Sequence, residues 1–371
     1  MDSRFVVIGA GLAGASAAAF LAEHGSVVVL EAEDQPGYHT TGRSAASYID
    51  TYGHATVCAA TRASRDFFWN PPAGFAEHPL VRPRAELEIA RPEQAEALAA
   101  LLDTHGAALR PVGRDEILRL SPILRPDVDW SGAINEATAD IDVDAVLQGF
   151  LRLARARGAQ LVTGARVEGL DRVAGGWRIR TAAGAFRADV VVNAAGAWAG
   201  EIGRLAGLGD LGLTPLRRTA LKIEPQMKDG LADWPFVIDV EEAFYFRPDG
   251  GGLMLSPADE TPSEPCDAQP DEMDVAIAVD AFEQATTETV QRVAHRWAGL
   301  RTFAPDRIPV VGPDPREPAF LWLAGQGGYG IQTAPSLALA AAALATTGDV
   351  HAALKAEGVS AADLGPGRLL G

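Results

Sequence analysis

The start of the chain alternates between unbroken apolar runs and a helical spacing of apolar positions. "RFVVI" (Arg4 to Ile8) is largely apolar and β-branched, glycines follow it, and an alanine-rich stretch extends to about His24. A second apolar run, "SVVVLE" (Ser26 to Glu31), comes next. Short unbroken runs are typical of strands that helices bury on both faces, as in parallel sheets. The pattern therefore predicts a βαβ unit.

The same order of elements recurs in "ADVVVNAAGAW" (Ala188 to Trp198) and in "FLWLAGQGGYGIQTAPS" (Phe320 to Ser336). Each segment runs from an apolar strand into small residues and then into a helix. The stretch "APSLALAAAALATTG" (Ala334 to Gly348) is shorter than the roughly 20 residues needed to span a bilayer. We therefore expect a buried helix there and no membrane span.

Three other segments alternate between polar and apolar residues with a period of two, which indicates strands with one buried face. They are "RAELEIA" (Arg84 to Ala90), "LRRTALKIEP" (Leu216 to Pro225) and "AFYFRPDGGGLMLSP" (Ala243 to Pro257). The last contains a Pro-Asp-Gly-Gly turn that predicts a β-hairpin. These segments favour an antiparallel sheet that is separate from the βαβ units.

The patterns together predict an α/β fold in which a Rossmann-like nucleotide-binding domain is interleaved with an α+β substrate domain built on an antiparallel sheet. A length of 371 residues fits two domains of roughly 100 to 200 residues each. We assign residues 1–80, 135–210 and 300–371 to the nucleotide-binding domain. Residues 81–134 and 211–299 form the predicted substrate-binding domain.

Charge and cysteine content narrow the classes of function. The chain has 32 Lys and Arg against 49 Asp and Glu, a net charge of −17, which argues against a nucleic-acid surface. Cys58 and Cys266 form no CxxC pair, and the seven histidines have no metal-ligand spacing, so we predict no metal. The N-terminus shows no signal peptide, which favours a cytoplasmic protein.

The segment "GAGLAG" carries Gly9, Gly11 and Gly14 in the spacing G-x-G-x-x-G, between a predicted strand and helix. The first glycine permits a tight turn, the second lets a pyrophosphate approach, and the third allows close helix packing. The helix N-terminus offers free N–H groups to the phosphates. Glu31 ends the next strand, where its carboxylate can accept hydrogen bonds from ribose. We predict a dinucleotide site here.

A second glycine motif, "GQGGYG" (Gly325 to Gly330), has no further strand with an acidic residue after it. We interpret it as a turn whose helix, starting near Gln332 or Thr333, points its N-terminus at the same cofactor. A helix N-terminus stabilises the negative charge of a reduced flavin, which favours FAD. The polar segment "GYHTTGRSAASY" (Gly37 to Tyr48) fits the middle of this site, with a helix predicted to begin near Ser44.

These motifs, with "LEAEDQPGYHTTGRSAASY", "VNAAGAWA", "WAGLRTF" and "QGGYGIQTAPS" in this order, resemble the FAD-dependent D-amino acid oxidase family. That family includes glycine and sarcosine oxidases. Within it, the chain is most similar to bacterial FAD-dependent D-arginine dehydrogenases. The resemblance implies an antiparallel sheet over a non-covalently bound flavin, because neither cysteine lies in the C-terminal region where sarcosine oxidases attach theirs.

The resemblance, together with the glycine motifs, implies a set of cofactor-binding residues along the chain. Val167 is expected to meet the adenine through its backbone. The full set is Gly9, Gly11, Ala13, Gly14, Glu31, Ala32, Thr40, Thr41, Gly42, Arg43, Ser44, Ala45, Ala46, Val167, Ala195, Gly196, Gly327, Gly328, Tyr329, Gly330, Ile331 and Gln332.

The resemblance also implies a substrate site. Arg218 and Arg301 match the arginines that clamp a substrate carboxylate, and Tyr52 and Tyr245 match tyrosines that line the pocket. Glu86 matches the acid that receives a cationic side chain. Gly328 is expected to contact the substrate, and Ser47 stands where the D-arginine dehydrogenase pattern has a histidine. A serine does not titrate near neutral pH as a histidine does.

The alternation pattern bears on these side chains independently of the family. Arg217 and Arg218 point to opposite faces of their strand, so only one of them can face a pocket, although a solvated arginine is the alternative. Arg301 lies in an apolar segment, where an unpaired charge is expensive. Tyr245 lies on the face opposite to Phe244 and Phe246, as a pocket or a core residue.

Glu86 and Glu88 share one face of their strand, while Leu87 and Ile89 share the other. Carboxylates in water are one explanation of this pattern. Pairing of Glu86 with a substrate ammonium or guanidinium is the other, if the polar face of the sheet looks toward the flavin.

The predicted function is oxidation of D-amino acids, basic ones among them, to 2-oxo acid and ammonia by hydride transfer to FAD. Its partners are the amino acid and an electron acceptor such as a quinone, a carrier or O2, and the protein is a monomer or a homo-oligomer. An amine oxidase of the glycine or sarcosine type that uses O2 is one alternative. A flavoprotein subunit without catalysis is another.

Overall fold

A computed structural model describes residues 2–370 of the chain. Within this range the α-helices are α1 Leu12–Leu21, α2 Ala55–Trp69, α3 Ala95–His105, α4 Arg114–Leu120, α5 Val143–Ala156, α6 Ala199–Leu205, α7 Glu272–Ala285, α8 Ala334–Thr346, α9 Ala352–Ala356 and α10 Ala361–Leu364.

The β-strands of the same range fall into three sheets. In chain order they are β1 Asp2–Ile8, β2 Val27–Leu30, β3 Ser47–Tyr48, β4 Val81–Pro83, β5 Glu86–Ala90, β6 Arg110–Gly113, β7 Ser131–Asn135, β8 Ala139–Ile141, β9 Gln160–Val162, β10 Val167–Val173, β11 Gly176–Thr181, β12 Gly184–Asn193, β13 Thr214–Ile223, β14 Phe236–Asp239, β15 Tyr245–Asp249, β16 Gly252–Ser256, β17 Thr261–Pro262, β18 Val293–Phe303, β19 Val310–Asp314 and β20 Glu317–Ala324.

The first sheet confirms the predicted βαβ organisation. Its strands follow the order β10-β11-β12-β1-β2-β9, with β20 beside β12 and β19 beside β20. The pairs β12/β1, β1/β2, β2/β9 and β12/β20 are parallel. Phe5 and Val7 of β1 pack in the core that contains α1, α5 and α8. Val6 and Ile8 pack on the other face, beside α6. Burial on both faces explains the unbroken apolar run.

The second sheet has nine strands, in the order β17-β13-β16-β15-β14-β5-β7-β6, with β18 beside β13. The predicted hairpin is confirmed as β15 and β16. The sheet is not wholly antiparallel, because β14 runs parallel to β5, with Phe236 beside Glu86. These two strands come from different excursions of the chain. The strands β8 to β12 lie between them in sequence, and so long a connection permits a parallel return.

The two faces of the second sheet have different environments. Leu87, Phe244 and Phe246 pack in a core with Phe282 of α7. On the opposite face, Tyr245 packs with Phe236 in a smaller apolar cluster. This face looks toward the first sheet. The alternation of Tyr245 with its phenylalanine neighbours therefore matches the two faces as predicted.

The helix predicted near Ser44 is wrong. A 3-10 turn covers Thr40–Arg43, and Ser44 is already extended, with ψ of 147°. Ala46 has a left-handed φ of 51°, and Ser47–Tyr48 then form β3, which pairs with β8. Strand pairing with a distant segment offsets the local helical tendency of "RSAAS". The first helix after the glycine-rich segment is α2.

The C-terminal apolar stretch forms the buried helix that was predicted. It is α8, and Thr333 occupies its N-cap position. No helix within residues 2–370 has the length and apolar character needed to cross a membrane. The same range holds no group of three or more His, Cys, Asp or Glu side chains arranged to hold a metal ion.

Candidate active site

The turn between β1 and α1 is built from glycines whose missing side chains leave room for the backbone. Gly9 has a φ of 99°, and a Cβ there would lie 2.5 Å from the carbonyl oxygen of Ala194. A Cβ on Gly14 would overlap the carbonyl oxygen of Gly9. Gly11 approaches the hydroxyl of Thr41 instead. The first and third glycines thus serve the turn and the helix packing, as their spacing predicts.

Glu31 is buried at the end of β2, and both of its carboxylate oxygens accept backbone hydrogen bonds. Oε2 accepts from the N–H of Ala10 at 2.7 Å, and Oε1 accepts from the N–H of Glu33 at 3.0 Å. These bonds fix the carboxylate beside the glycine turn. Because each carboxylate oxygen accepts more than one hydrogen bond, Glu31 retains acceptor capacity for a ribose hydroxyl.

The segment Gly37 to Tyr48 connects the two large sheets. Thr41 accepts a hydrogen bond through Oγ1 from the N–H of Leu12 at 3.0 Å, at the start of α1. The hydroxyl of Thr40 donates to the carbonyl oxygen of Leu300 at 2.7 Å, in β18. Arg43 donates to the carbonyl oxygen of Ala298 at 3.0 Å. Small polar side chains suit this position because they supply hydrogen bonds without filling the space between the sheets.

The C-terminal glycine turn brings the backbone close to β18. A Cβ on Gly327 would overlap the ring of Phe303, and a Cβ on Gly328 would lie 2.8 Å from Nη1 of Arg301. The carboxamide of Gln332 pairs with Ile49, accepting from its N–H at 2.9 Å and donating to its carbonyl oxygen at 3.1 Å. The lack of a side chain at Gly328 therefore leaves room for the Arg301 guanidinium. The hydrogen bonds of Gln332 fix the position of Ile49, which precedes Tyr52 in the chain.

A cleft runs between the two large sheets, with lining residues from both. Most of the residues predicted to bind the cofactor or the substrate line it. They are Gly9, Gly11, Ala13, Glu31, Ala32, Thr40, Thr41, Arg43, Ser44, Ala45, Val167, Ala195, Gly196, Gly327, Gly328, Gly330, Ile331, Arg218, Arg301 and Tyr245.

The other predicted residues do not line this cleft. They are Gly14, Gly42, Ala46, Tyr329, Gln332, Tyr52, Glu86 and Ser47. Some of them contact residues that line it. Tyr52, for example, accepts a hydrogen bond at 3.4 Å from Nη1 of Arg301, which lines the cleft.

Two guanidinium groups face one end of the cleft. Arg218 is 7% exposed, and its neighbour Arg217 instead donates to Asp274 of α7 at 2.8 Å. Arg301 donates to the hydroxyl of Tyr52 at 3.4 Å. Burial raises the pKa of Tyr245, but the positive charges of Arg301 and Arg218 outweigh burial and lower it overall. This end of the cleft is therefore strongly electropositive.

Glu86 lies on the face of the second sheet that looks toward the first sheet. It is 2% exposed, and its Oε2 has no hydrogen-bond partner within residues 2–370. Burial, with a further contribution from Asp50, raises the pKa of Glu86 to about 8. Burial and the charge of Glu86 also raise the pKa of Glu88. Exposure of Glu86 to water, one of the two explanations of the alternating pattern, is thus wrong.

Ser47 takes part in a charged network beside the cleft. Its Oγ accepts a hydrogen bond from Nη1 of Arg247 at 3.2 Å, and the same nitrogen lies 2.9 Å from Asp140. The carbonyl oxygen of Ala45 accepts from Arg247 at 2.6 Å. Ser47 therefore supports the loop that carries Ala45.

Two polar side chains that the sequence did not single out also line the cleft. The hydroxyl of Thr302 and the carboxamide nitrogen of Gln326 are buried without a hydrogen-bond partner in the described part of the chain. Buried polar groups nearly always have partners, so these two fit a bound polar cofactor. The flanking "RTF" and "GQGG" motifs were the available signals, but neither specifies where a side chain points.

The chain matches the family described as FAD dependent oxidoreductase over residues 4–344. It belongs to that family. The likeness to the D-amino acid oxidase group is thereby confirmed at the level of the family. The prediction of FAD as the cofactor is confirmed.

The individual proteins to which the chain is similar have low sequence identity to it. Mitochondrial dimethylglycine dehydrogenase of Rattus norvegicus is 28% identical over 237 residues, which cover 58% of this chain. The match spans only 27% of that relative's own length. L-proline dehydrogenase from P. horikoshii has a TM-score of 0.80 at 21% identity, with 94% of each chain covered. Glycine oxidase from Geobacillus kaustophilus has a TM-score of 0.80 at 20% identity, covering 93% of this chain and 95% of its own.

These similarities confirm the predicted fold and leave the substrate open. The structural likenesses, at about 20% identity, concern the fold alone. As an FAD-dependent oxidoreductase, the chain has a cleft whose glycine turns and orphaned polar groups fit the cofactor.

Proposed function

We propose that this FAD-dependent oxidoreductase oxidises D-amino acids, including basic ones such as D-arginine and D-lysine, to 2-oxo acids and ammonia. The observation that carries the proposal is the convergence of Arg218 and Arg301 on one end of the FAD cleft. Two guanidiniums at the edge of a flavin site suit a substrate with a carboxylate.

In this proposal Arg218 and Arg301 bind the substrate carboxylate, and Tyr245 lines the pocket beside them. Tyr52, which accepts a hydrogen bond from Arg301, holds that guanidinium in place. The glycine turn after β1 and Glu31 would hold FAD, and the bound flavin would supply the hydride acceptor. The protein binds the substrate in one orientation and keeps the reacting carbon and amine at a fixed position, so catalysis is chiefly positioning.

Glu86 supports a preference for cationic side chains. Its carboxyl group is buried without an ion-pair or hydrogen-bond partner for Oε2 among residues 2–370. A buried carboxylate is costly when unpaired and much less so beside a guanidinium or ammonium. Glu86 does not itself line the cleft, so this role requires the side chain of the substrate to extend beyond the lining residues. The resemblance to D-arginine dehydrogenases points in the same direction.

One anaerobic titration tests the proposal. The purified holoprotein is mixed with D-arginine, D-lysine, D-leucine, glycine, sarcosine and L-arginine, and the visible flavin absorbance is followed. We expect D-arginine and D-lysine to bleach the flavin fastest and L-arginine to leave it oxidised. A flavin that is bleached only by sarcosine or glycine would contradict the D-amino acid assignment. Admission of O2, or of a quinone in its absence, then identifies the electron acceptor.

A second candidate is an amine oxidase that acts on glycine or its N-methyl derivatives. The relative whose name is dimethylglycine dehydrogenase supports it, since that substrate also carries a carboxylate next to an amine. The arginine pair would serve both substrate classes. Glu86 separates them, because an N-methylglycine has no side chain to reach it. Replacement of Glu86 by Gln should therefore change turnover of D-arginine and leave turnover of sarcosine unchanged.

A further inference from the structure

The carboxylate-binding arginines differ in what holds them. Arg301 contacts phenols, with Tyr52 as its hydrogen-bond partner. Arg218 also interacts with a phenol, that of Tyr245, but in addition it donates through Nε to the carbonyl oxygen of Asp259 at 2.8 Å and through Nη2 to Oε1 of Glu260 at 3.2 Å. The carboxylate of Glu260 thus already accepts a hydrogen bond from the Arg218 guanidinium, the group that the proposed function assigns to the substrate carboxylate.

Glu260 is itself anchored from the other side. Arg307 donates to it in a bidentate geometry, with Nη1 to Oε2 at 3.0 Å and Nη2 to Oε1 at 2.8 Å. The Arg307 guanidinium also lies 4.0 Å from the ring centroid of Phe303. Although partial burial opposes ionisation, Arg307 and Arg218 lower the pKa of Glu260. Glu260 is therefore a fixed anion between two guanidiniums.

The backbone around Glu260 is shaped to reach β13. Ala258 has a left-handed φ of 52°, which an alanine rarely adopts. This turn lets the carboxylate of Asp259 accept from the N–H of Thr219 at 2.6 Å and from its hydroxyl at 3.1 Å. The segment 257–260 is therefore fixed to Arg218 and Thr219 of β13 by several independent hydrogen bonds.

We propose that Glu260 is a positioning residue that holds the Arg218 guanidinium in its carboxylate-binding orientation, with Arg307 as its anchor. A long arginine side chain loses considerable rotational freedom when it binds a ligand. Glu260 removes that freedom before the substrate arrives. The Glu260 carboxylate also partly neutralises the positive charge of Arg218. Arg301 therefore supplies the larger share of the electrostatic attraction for the substrate carboxylate. This inference rests on the proposed carboxylate-binding role of Arg218.

The test compares E260A, E260Q and R218A as holoenzymes, with D-arginine and D-argininamide as substrates. The amide lacks the carboxylate that Arg218 would bind. We expect E260A to lower kcat/KM for D-arginine about 10-fold, mostly through KM, and to change the value for the amide less than about 2-fold. E260Q keeps an oxygen that accepts from Nη2, so it should stay within about 3-fold of the wild type.

A matched control removes a similar ion pair elsewhere. Arg110 and Glu116 also pair in a bidentate geometry, with both bonds at 3.1 Å, on an exposed surface away from the cleft. E116A should leave both substrates unaffected. If E260A lacks flavin, R307Q replaces it, because that variant removes the anchor and keeps Glu260. R307Q should raise KM for D-arginine about 3-fold.

The outcomes separate this inference from the proposed function. A loss in R218A with E260A unchanged would reject the positioning role and keep the carboxylate clamp. An unchanged R218A would reject the clamp itself. Equal losses for acid and amide in E260A, or equal losses in E260A and E260Q, would also overturn the inference, because the effect would then be a general loss of structure or charge.

Discussion

The two ends of the cleft are built by different means. One end, which we call the nucleotide end because we propose that it binds the dinucleotide, is formed by backbone and glycines: Gly9, Gly11 and Gly14 lie within a few residues of one another, and backbone N–H groups fix Glu31. The other, which we call the substrate end because we propose that the substrate binds there, is formed by charged and aromatic side chains from widely separated strands, among them Arg218 and Arg301. Local sequence sets the first end, and chain topology sets the second.

This difference has a consequence for mutation. A change at the nucleotide end alters backbone packing, so it should affect cofactor binding and stability together. A change at the substrate end removes one side chain from a rigid sheet, so it should affect the substrate and leave the cofactor in place. The following substitutions test that division.

The largest effect is expected for Gly14→Ala. Its Cβ would overlap the carbonyl oxygen of Gly9, and backbone cannot yield as a flexible side chain does. We expect a destabilisation of about 3 kcal/mol and loss of FAD, measured by thermal unfolding and by the flavin-to-protein absorbance ratio. Gly367→Ala is the control, because nothing lies within 4 Å of the Cβ it would add. If G14A retained the flavin content of the wild type, a change at the nucleotide end would not affect cofactor binding, and the distinction between the two ends would be wrong.

Arg301→Ala should come next, at the opposite end. It removes a guanidinium with no carboxylate partner among residues 2–370, so its charge is fully available to a substrate. We expect kcat/KM for a carboxylate substrate to fall by about 100-fold or more, with FAD content unchanged. The measurements are steady-state kinetics and the visible spectrum. An unchanged kcat/KM would remove the clamp assignment, and loss of FAD would show that the two ends are not separable.

Glu86→Gln should have a smaller, pH-dependent effect. Burial raises the pKa of Glu86 to about 8, so the free enzyme holds a proton there at neutral pH. A cationic side chain binds the ionised form. The ratio of kcat/KM for D-arginine to kcat/KM for D-leucine should therefore increase about 10-fold for each pH unit as the pH is raised toward 8, and it should level off above pH 8. Dividing one kcat/KM by the other cancels the titration of the α-amine, which both substrates share. In E86Q the ratio should be low and independent of pH.

The same raised pKa predicts the sign of a stability effect. Between the ordinary carboxyl pKa and about 8, the folded chain binds a proton that the unfolded chain has released. The contribution of Glu86 to folding thus becomes less favourable as pH rises through this window. The melting temperature of E86Q minus that of the wild type should therefore increase as the pH is raised from 5 to 8. A constant difference would show that Glu86 is ionised throughout.

The smallest effect is expected for Ser47→Ala. Arg247 keeps Asp140 and the carbonyl oxygen of Ala45 as partners after the Ser47 hydroxyl is lost. We expect a loss of about 1 kcal/mol in stability and less than a 2-fold change in kcat/KM. Ser47→His then tests the position directly. A new pH optimum or D-amino acid profile in S47H would show that this residue influences substrate preference although it does not line the cleft.

Sequence patterns predicted more of the nucleotide end than of the substrate end. The glycine turn, the buried strand pairs and the hairpin follow from local spacing, and the structure has all of them. The pairing of β5 with β14, which are about 150 residues apart, has no local signal. Nor does the ion pair of Glu260 with Arg218 and Arg307, because a Pro-Ala-Asp-Glu segment gives no sign of which strand it will contact.

The sequence by itself determined the dinucleotide turn, the opposite faces of Arg217 and Arg218, and the family to which the chain belongs. Each depends on the period of a helix or strand, or on a glycine that the backbone requires, and such features act over a few residues. Tertiary structure alone decided that Glu86 is buried, that Ser44 is extended, and that Glu260 reaches Arg218. Those outcomes depend on which distant segments share a sheet, since burial and charge pairing are properties of the assembled chain.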